Sequence, residues 1–302
     1  MPGGAIYSGV NCPAIVGPTA SGKTSLVTAL ASQLPIEVIS LDSRQIYHGL
    51  RIGTAQPTAE EQAVCRHHLI DFISPDEKYD AVRFRTDFEK VFVEIKERGG
   101  IPLLAGGAGM YLTALRDGFM KIPGNSKEKL ESARAEVSTW DNRKLREELL
   151  KHDPESHKRI HPNDIYRSGR AMEIFLISGH TMTELTAAQK PDPSLGLNFP
   201  AFVLQRTVEK LDERIALRTE LMLEQGWIEE TEAAMEKHDP QGPGLQSIGY
   251  REIVEYLEGR MSRDDLNQAV VLVTRQYAKR QRTWFRNMSD AVEGHPESEE
   301  LL

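Results

Sequence analysis

Short apolar runs alternate with helix-period patterns in the first part of the chain. Ala14–Val16 and Ile36–Leu41 are apolar or β-branched, which predicts two buried strands. Between them, leucines recur at every fourth position and predict a helix over residues 24–34 that Pro35 ends. A strand, a glycine-rich turn, a helix and a second strand within roughly thirty residues are typical of a βαβ unit in a parallel sheet.

The same alternation returns further along the chain. A helix is predicted over residues 84–98, where phenylalanines share one face and Gly99 follows. A third strand over residues 101–105 runs into the Gly106–Gly107 pair, and residues 201–204 read as a fourth strand. These patterns predict a parallel sheet with helices packed against it.

Between residues 121 and 198 strand-like runs vanish, and helix-period segments follow one another. They cover residues 127–138, 143–151 and 164–177. Further helices are expected at residues 208–225, 226–237 and 263–285, with a frayed tail after Asn287. The predicted fold class is therefore α/β, with an inserted all-helical domain. We place the core at residues 1–120 and 196–302, and the insertion at residues 121–195.

Composition narrows the class of protein. Hydrophobic residues make up 39% of the 302 positions and charged residues 27%, which suits a folded chain with a real core. We expect no membrane association, because no apolar run approaches eighteen residues, and no secretory signal. The two cysteines, Cys12 and Cys65, form no paired metal motif. A soluble cytoplasmic protein is the expectation.

Charge is unevenly distributed. The formal net charge of −8 argues against nonspecific coating of nucleic acid, which depends on lysine and arginine. Residues 275–286 nevertheless hold five basic side chains and no acidic one, interleaved with aromatic residues. A local contact with a nucleic-acid backbone therefore stays open.

One motif carries clear chemistry. The sequence matches G-x-x-x-x-G-K-[ST] between the first strand and the first helix, the context in which this loop binds phosphates. Its backbone N–H groups and the lysine would hold a diphosphate or triphosphate, and the final hydroxyl would reach Mg²⁺. The loop alone does not identify the ligand. Its residues are Gly17, Pro18, Thr19, Ala20, Ser21, Gly22, Lys23 and Thr24.

Asp42 follows the second strand, at the edge where parallel sheets place their chemistry. Its carboxylate would act there as a metal partner or as a base, unless it only caps a turn. The third strand ends instead in Gly106–Gly107, with no acidic residue to hold a magnesium ion. This makes a motor ATPase less favoured.

Motifs spread in order over nearly the whole chain resemble the bacterial-type tRNA dimethylallyltransferases. They lie at residues 17–24, 41–47, 53–57, 67–71, 101–107, 161–164, 247–252 and 274–281, together with Arg167 and Arg170. The resemblance implies transfer of a dimethylallyl group from dimethylallyl diphosphate to N6 of the adenosine 3′ to the anticodon of tRNA, with release of diphosphate. The partners would be the anticodon stem-loop and dimethylallyl diphosphate, and we expect a monomer.

The resemblance also assigns roles to residues. Asp42 would be the general base for N6, Thr19 would line the meeting point of the two substrates, and Lys23 would stabilise the leaving diphosphate. Arg218 would join residues 17–24 on the diphosphate, with Mg²⁺ on Thr24. Arg214 shares the helix face of Arg218 and is left open between a functional role and a solvated one.

Contacts with tRNA are implied for a larger set of residues. An ion pair with Glu173 or Asp164 is the structural alternative for Arg167 and Arg170, and Tyr250 is either a base-stacking or a core residue. The set comprises Asp42, Ser43, Arg44, Gln45, Ala108, Leu130, Tyr166, Arg167, Ser168, Gly169, Arg170, Ser247, Ile248, Gly249, Tyr250, Arg251 and Glu252.

Two positions depart from the family pattern, since Ala108 stands where a threonine is common and Leu130 where an arginine is often found. The pair His67–His68 is interpreted as structural, because adjacent residues point apart. Three alternatives to the tRNA enzyme remain. They are an adenylate isopentenyltransferase that makes cytokinin, a P-loop small-molecule kinase, and a noncatalytic nucleotide-binding module that holds RNA.

Overall fold

The computed structural model of the chain describes residues 7–288 and 291–294. Contacts divide the chain into two compact units. The first comprises the residues up to Arg116 and from Pro193 onward, and the second comprises Asp117–Asp192. Every element of the phosphate loop and its sheet belongs to the first unit.

The described part of the first unit holds one parallel sheet of six strands, in the order β3-β2-β4-β1-β5-β6. This confirms the predicted α/β fold class. The strands are β1 (Ala14–Val16), β2 (Ile36–Leu41), β3 (His67–His68), β4 (Ile101–Gly106), β5 (Ala201–Leu204) and β6 (Ala291–Gly294).

Helices account for most of the remaining described chain. A short 3₁₀ turn at Ser194–Gly196 precedes β5. No described helix combines the length and apolar character that a membrane crossing needs. The helices are α1 (Lys23–Ala31), α2 (Arg51–Thr54), α3 (Ala59–Val64), α4 (Ala81–Glu97), α5 (Gly109–Asp117), α6 (Lys127–Ser138), α7 (Asn142–His152), α8 (Pro154–Arg159), α9 (Ile165–Ser178), α10 (Met182–Ala188), α11 (Val208–Glu224), α12 (Trp227–Met235), α13 (Tyr250–Leu257) and α14 (Arg263–Arg286).

Both faces of the sheet are covered, as expected for parallel strands. Successive residues of a strand point to opposite faces, so Ala14 and Val16 pack with the phenylalanines of α4 while Ile15 packs with Val27 of α1. This explains why β1 is apolar at every position. A separate cluster of α11, α12, α13 and α14 buries Trp227 and Tyr250 against the loops after β2.

Two strands escaped the sequence patterns. The two-residue strand β3 is too short to show any alternation. The tail after Asn287 was expected to fray, and this was wrong for residues 291–294, which form β6 and pair in parallel with β5. Alternation in so short an edge strand is faint, and its position depends on hydrogen bonds to Ala201–Leu204.

The carboxyl ends of β2 and β4 lie directly side by side. A Cβ at Gly106 would stand 2.1 Å from the Leu41 carbonyl oxygen, so only glycine permits this approach. The backbone N–H of Ala108 then donates to the same Leu41 oxygen (2.9 Å). As a result, the residues that follow the two strands open onto the same edge of the sheet.

The second unit consists of the helices α6 to α10 in its described residues. Its core is formed by Val137, Leu145, Leu149 and Met172, among others. Asp153 ties α8 to α10, since Oδ1 accepts from the Thr183 hydroxyl (2.6 Å). The predicted helical character of this segment is therefore what the structure shows.

A half-buried carboxylate at the sheet margin gives a stability prediction. Arg98 donates to both oxygens of Glu37 (2.6 and 2.7 Å), and His68 contacts Oε2 at 2.7 Å. These bonds, that of Arg98 foremost, lower the pKa of Glu37 to about 2. Because the pKa of Glu37 is depressed in the folded protein, its ion pair contributes fully to folding stability above the unfolded pKa of about 4.3. This contribution disappears as pH falls through the folded pKa of about 2.

We therefore expect Arg98→Ala to lower the free energy of unfolding by about 2 kcal/mol at pH 7. Urea unfolding followed by circular dichroism measures this, and the deficit should shrink below about pH 4. Lys210→Ala is the control, since it removes an exposed pair with Glu213 (3.5 Å) and is expected to change little. An equal effect of the two variants would contradict the assigned role of Glu37.

Candidate phosphate-binding and transfer site

The phosphate loop connects β1 to α1 at the centre of the sheet. Gly17 (φ 154°) must be glycine, because a Cβ there would lie 2.5 Å from the Leu204 carbonyl oxygen. Gly22 (φ 102°) adopts the left-handed conformation just before α1 begins at Lys23. This geometry turns the loop over the N-terminus of α1, whose unpaired N–H groups favour an anion.

The ammonium group of Lys23 is held across the loop. Its Nζ donates to the carbonyl oxygens of Gly17 (3.1 Å) and Pro18 (2.8 Å). Burial, followed by the charge of Arg218, lowers the pKa of Lys23 to about 8, while Asp42 opposes the shift. The side chain is therefore still mainly protonated at neutral pH, and an anion in the loop would stabilise the charge further.

Three arginines of the first unit bind consecutive residues of the loop. Burial lowers the pKa of Arg218 and Arg214, although a guanidinium stays charged at neutral pH. The arrangement concentrates positive charge around a site for a polyanion. Arg206 Nε donates to the Ser21 carbonyl oxygen (2.8 Å), and Arg214 Nε donates to the Ala20 carbonyl oxygen (2.7 Å). Arg218 Nη1 donates to the hydroxyl oxygen of Thr19 (3.3 Å).

Arg214, left open by the sequence, thus binds the loop backbone and has a definite partner. Arg206 was missed altogether. The only sequence signal for it is its place directly after β5, at the carboxyl edge of the sheet.

Asp42 lies at the same edge, immediately after β2. Its Oδ1 accepts from the backbone N–H groups of Arg44 (2.7 Å) and Gln45 (3.3 Å), so the turn-capping role is real. Its charge also raises the pKa of Lys23 and Arg218 above what burial and neighbouring cations alone would give. The carboxylate therefore lies near enough to Lys23 of the loop and Arg218 of α11 for its charge to act on both.

Two tyrosines share this environment. Burial raises the pKa of Tyr277 on α14 and of Tyr111 on α5, and the negative charge of Asp42 is the next cause for both. Both phenols are therefore neutral at physiological pH. Tyr277 is half-buried, and its phenol lies within range of the charge of Asp42.

Gln45 is engaged within the protein. Its Oε1 accepts from the Ser40 hydroxyl (2.9 Å), and its Nε2 donates to the Ala55 carbonyl (2.7 Å). The amide predicted to contact tRNA is thereby committed to internal bonds. Arg44, in contrast, is exposed, and its Nη1 donates to the Pro243 carbonyl oxygen (3.0 Å).

The segment from Ser247 to Glu252 is mostly internal. Tyr250 is fully buried, and its hydroxyl donates to Glu230 Oε1 (2.5 Å) and accepts from the Gly53 N–H (3.0 Å). Of the two roles left open for Tyr250, the structure therefore shows the core one. Glu252 is also buried and accepts from the Gly249 N–H (2.7 Å). Ser247 and Gly249 are buried, Ile248 is half-buried, and Arg251 pairs with Glu252 (2.6 Å).

Within the second unit, the predicted RNA-contacting residues divide by exposure. Tyr166 is 83% exposed and Arg167 is exposed, although the latter also pairs with Asp164 (3.3 Å). Arg170 pairs with Glu173 (2.8 Å). The ion pairs considered as alternatives are therefore present. Ser168 and Gly169 are buried and Leu130 is half-buried, so neither the Ser168 hydroxyl nor the Gly169 backbone is exposed to solvent.

The histidine pair has the structural role predicted for it. His67 Nδ1 contacts the Cys65 carbonyl oxygen (2.7 Å), and His68 contacts Glu37. The described residues contain no group of three or more histidine, cysteine or acidic side chains placed to hold a metal ion. The pair is therefore explained by its hydrogen bonds within the protein.

Magnesium at the phosphate loop would be held by oxygen donors and not by a cluster of histidine, cysteine or acidic side chains. The Thr24 side chain is exposed in the first turn of α1, and Asp42 supplies a carboxylate directly after β2. Mg²⁺ usually keeps several waters and takes phosphate oxygens, with one or two protein donors. A hydroxyl beside an anion-binding loop therefore fits magnesium that arrives with a diphosphate.

A phosphate loop at the carboxyl end of the central strand of a parallel sheet defines a P-loop protein of the α/β class. The model of the IPP transferase family matches residues 45–288, which begin just after the loop and Asp42. The chain belongs to this family.

Solved structures that resemble the chain extend the match across the loop. The tRNA isopentenylpyrophosphate transferase of Bacillus halodurans is 34% identical, with 94% of this chain and 89% of that one covered, at a TM-score of 0.68. That of Staphylococcus epidermidis is 33% identical over 97% and 95%, also at 0.68. A eukaryotic dimethylallyltransferase acting on tRNA is 28% identical over 95% and 74%, at 0.78.

Proposed function

We propose that this protein transfers the dimethylallyl group of dimethylallyl diphosphate to N6 of the adenosine immediately 3′ to the anticodon of tRNA. Family membership and the solved relatives make the chain an enzyme that transfers a prenyl group to tRNA. The observation that supports the finer statement is the pairing of a strong anion site with a carboxylate. Asp42 follows β2 at the edge of the sheet that carries the phosphate loop, and its charge acts on Lys23 and Arg218.

The cationic groups support loss of diphosphate. When the bond between C1 of the allyl group and the diphosphate oxygen breaks, its electron pair leaves with the oxygen. Lys23, Arg218 and the loop N–H groups are placed to stabilise that charge. Mg²⁺, held through the Thr24 hydroxyl, would supply further neutralisation when bound. The loop itself is kept in shape by Arg206 and Arg214.

The carboxylate supports the other half of the reaction. As the N6 lone pair forms the new bond to C1, N6 must lose a proton, and Asp42 is the acceptor we assign. Its Oδ1 is fixed by the Arg44 and Gln45 N–H groups, which holds the carboxylate in one orientation while Oδ2 takes no part in that turn. Thr19, a residue of the loop, accepts from Arg218 through its hydroxyl oxygen, and we assign the meeting point of the two substrates to it.

The acceptor adenosine has to leave its stack to reach the loop. We assign tRNA contacts to the exposed members of the predicted set, namely Arg44, Tyr166, Arg167 and Arg251, and to the half-buried Ser43. Position 108, an alanine here, has no hydroxyl to offer, and its backbone is bonded to β2. We expect a monomer to suffice, since one chain supplies both the anion site and the carboxylate.

Labelled dimethylallyl diphosphate tests the proposal. The purified protein is incubated with it and with either unmodified tRNA or AMP, and a third reaction contains ATP and no prenyl donor. We expect label in tRNA, at the adenosine 3′ to the anticodon after nuclease digestion. Label in AMP would support adenylate prenylation, and ATP turnover without transfer would support a kinase. The relatives give no support to either alternative.

A further inference from the structure

One buried amide side chain connects two distant parts of the catalytic unit. Gln281 lies on α14 and is only 6% exposed. Its Oε1 accepts from the backbone N–H of Thr19 (2.8 Å), and its Nε2 donates to the carbonyl oxygen of Gly107 (3.1 Å). Both functional groups of the amide are therefore satisfied, one by the phosphate loop and one by the turn after β4.

The glycines of that turn show how closely α14 approaches. A Cβ at Gly107 would lie 2.0 Å from Gln281 Nε2, and a Cβ at Gly109 would lie 2.2 Å from Trp284 Nε1. Neither glycine has a left-handed φ, so backbone conformation does not explain them. Their small size instead leaves room for side chains of α14. Gln281 is thus packed closely against the phosphate loop and the turn after β4.

Thr19 is consequently held from two directions. Gln281 binds its backbone N–H, and Arg218 donates to its hydroxyl oxygen (3.3 Å). The next residue, Ala20, has a φ of 62°, a conformation that a residue with a Cβ keeps only where its surroundings enforce it. The bond to Gln281 stands one residue before this strained position and therefore helps to fix the loop there.

We propose that Gln281 is a positioning residue for Thr19, fixing the phosphate loop against the turn after β4 through its two hydrogen bonds. The inference rests on the proposed prenyl transfer and deepens it. Although Gln281 belongs to the basic segment of α14, its burial excludes a direct contact with an RNA backbone. Gln281 acts on the reaction only through Thr19 and the loop.

The test variant is Gln281→Met, which keeps the length of the side chain but neither hydrogen bond. We expect the KM for dimethylallyl diphosphate to rise about tenfold, as for the loss of one or two buried hydrogen bonds. The affinity for tRNA, measured by filter binding without the prenyl donor, should stay within about twofold. Gln268→Met, at an exposed position of the same helix, is the matched control and should match the parent protein.

Inorganic pyrophosphate separates positioning from simple support of the fold. Its affinity, measured by calorimetry well below the unfolding temperature, should fall with Gln281→Met as the KM rises. A purely structural role would lower the unfolding temperature and leave the pyrophosphate affinity unchanged, and that result would overturn the proposal. If Gln281→Met is not recovered folded, Gln281→Glu keeps the acceptor for Thr19 and loses the donor to Gly107, and it should also weaken pyrophosphate binding.

A double-mutant cycle with Thr19→Ala tests whether the effect passes through Thr19. If it does, the combined loss in kcat/KM is smaller than the product of the two single losses. A combined loss in kcat/KM equal to the two single losses multiplied together would refute action through Thr19. The parent protein decides the underlying function separately: failure of the parent to prenylate tRNA rejects the proposed function, whereas an active parent with unaffected variants rejects the role of Gln281 alone.

Discussion

Asp42→Asn is expected to abolish most of the prenyl transfer while leaving tRNA bound. The asparagine keeps a side-chain oxygen that can accept from the N–H groups of Arg44 and Gln45, so the turn after β2 should survive. What is lost is the negative charge and the ability to take a proton from N6. A positioned general base is worth about a hundredfold to ten-thousandfold in rate, and we expect a loss in this range.

Single-turnover transfer to unmodified tRNA, with filter binding in parallel, measures this effect. The matched control is Asp141→Asn, because Asp141 also caps a backbone turn, accepting from the Lys144 N–H (2.7 Å), but lies in the helical unit. It should transfer at the parent rate. Normal turnover by Asp42→Asn would remove the base assignment, and loss of tRNA binding together with turnover would show that Asp42 acts in binding.

At alkaline pH, kcat/KM for dimethylallyl diphosphate should fall because Lys23 loses its proton. The pKa of Lys23 is lowered to about 8, chiefly by burial and then by Arg218, so the ammonium loses its proton as pH rises through that value. Only the protonated form attracts the diphosphate, and kcat/KM for dimethylallyl diphosphate should therefore fall above about pH 8. The effect should be weaker in kcat, because bound diphosphate raises the pKa of Lys23 again.

Lys23→Met identifies the group. The variant keeps the apolar stem but neither donates to the Gly17 and Pro18 carbonyls nor carries charge. We expect kcat/KM to drop by about a hundredfold to a thousandfold, comparable to the loss of one strong electrostatic contact to a leaving group, and the fall at alkaline pH to disappear. A fall that persists in Lys23→Met would assign it to another group.

The conformation of the phosphate loop was predictable because its determinants are local. Each residue from Gly17 to Thr24 acts through its own backbone conformation or through the helix that begins beside it, and these preferences are written in residue type. The strands that carry the site were predictable for a similar reason. Ala14–Val16 and Ile36–Leu41 are buried on both faces and hence apolar throughout.

The exposure of the residues predicted to contact tRNA was much less predictable from the sequence. A motif identifies positions that matter and not which way their side chains point. Tyr250 and Gln45 illustrate this, since both belong to motifs assigned to tRNA and both are used inside the protein. Whether a tyrosine is buried depends on residues far along the chain, here Trp227 and Glu230.

The sequence by itself determined the parallel α/β core, the phosphate loop and the placing of Asp42 after β2, because periodicity and turn chemistry are properties of neighbouring residues. Only the tertiary structure decided that Arg206 and Arg214 hold the loop, that Gln281 reaches Thr19 and Gly107, and that residues 291–294 complete the sheet. These contacts join residues far apart along the chain. They arise when helices and strands pack, so no local pattern of residue types records them.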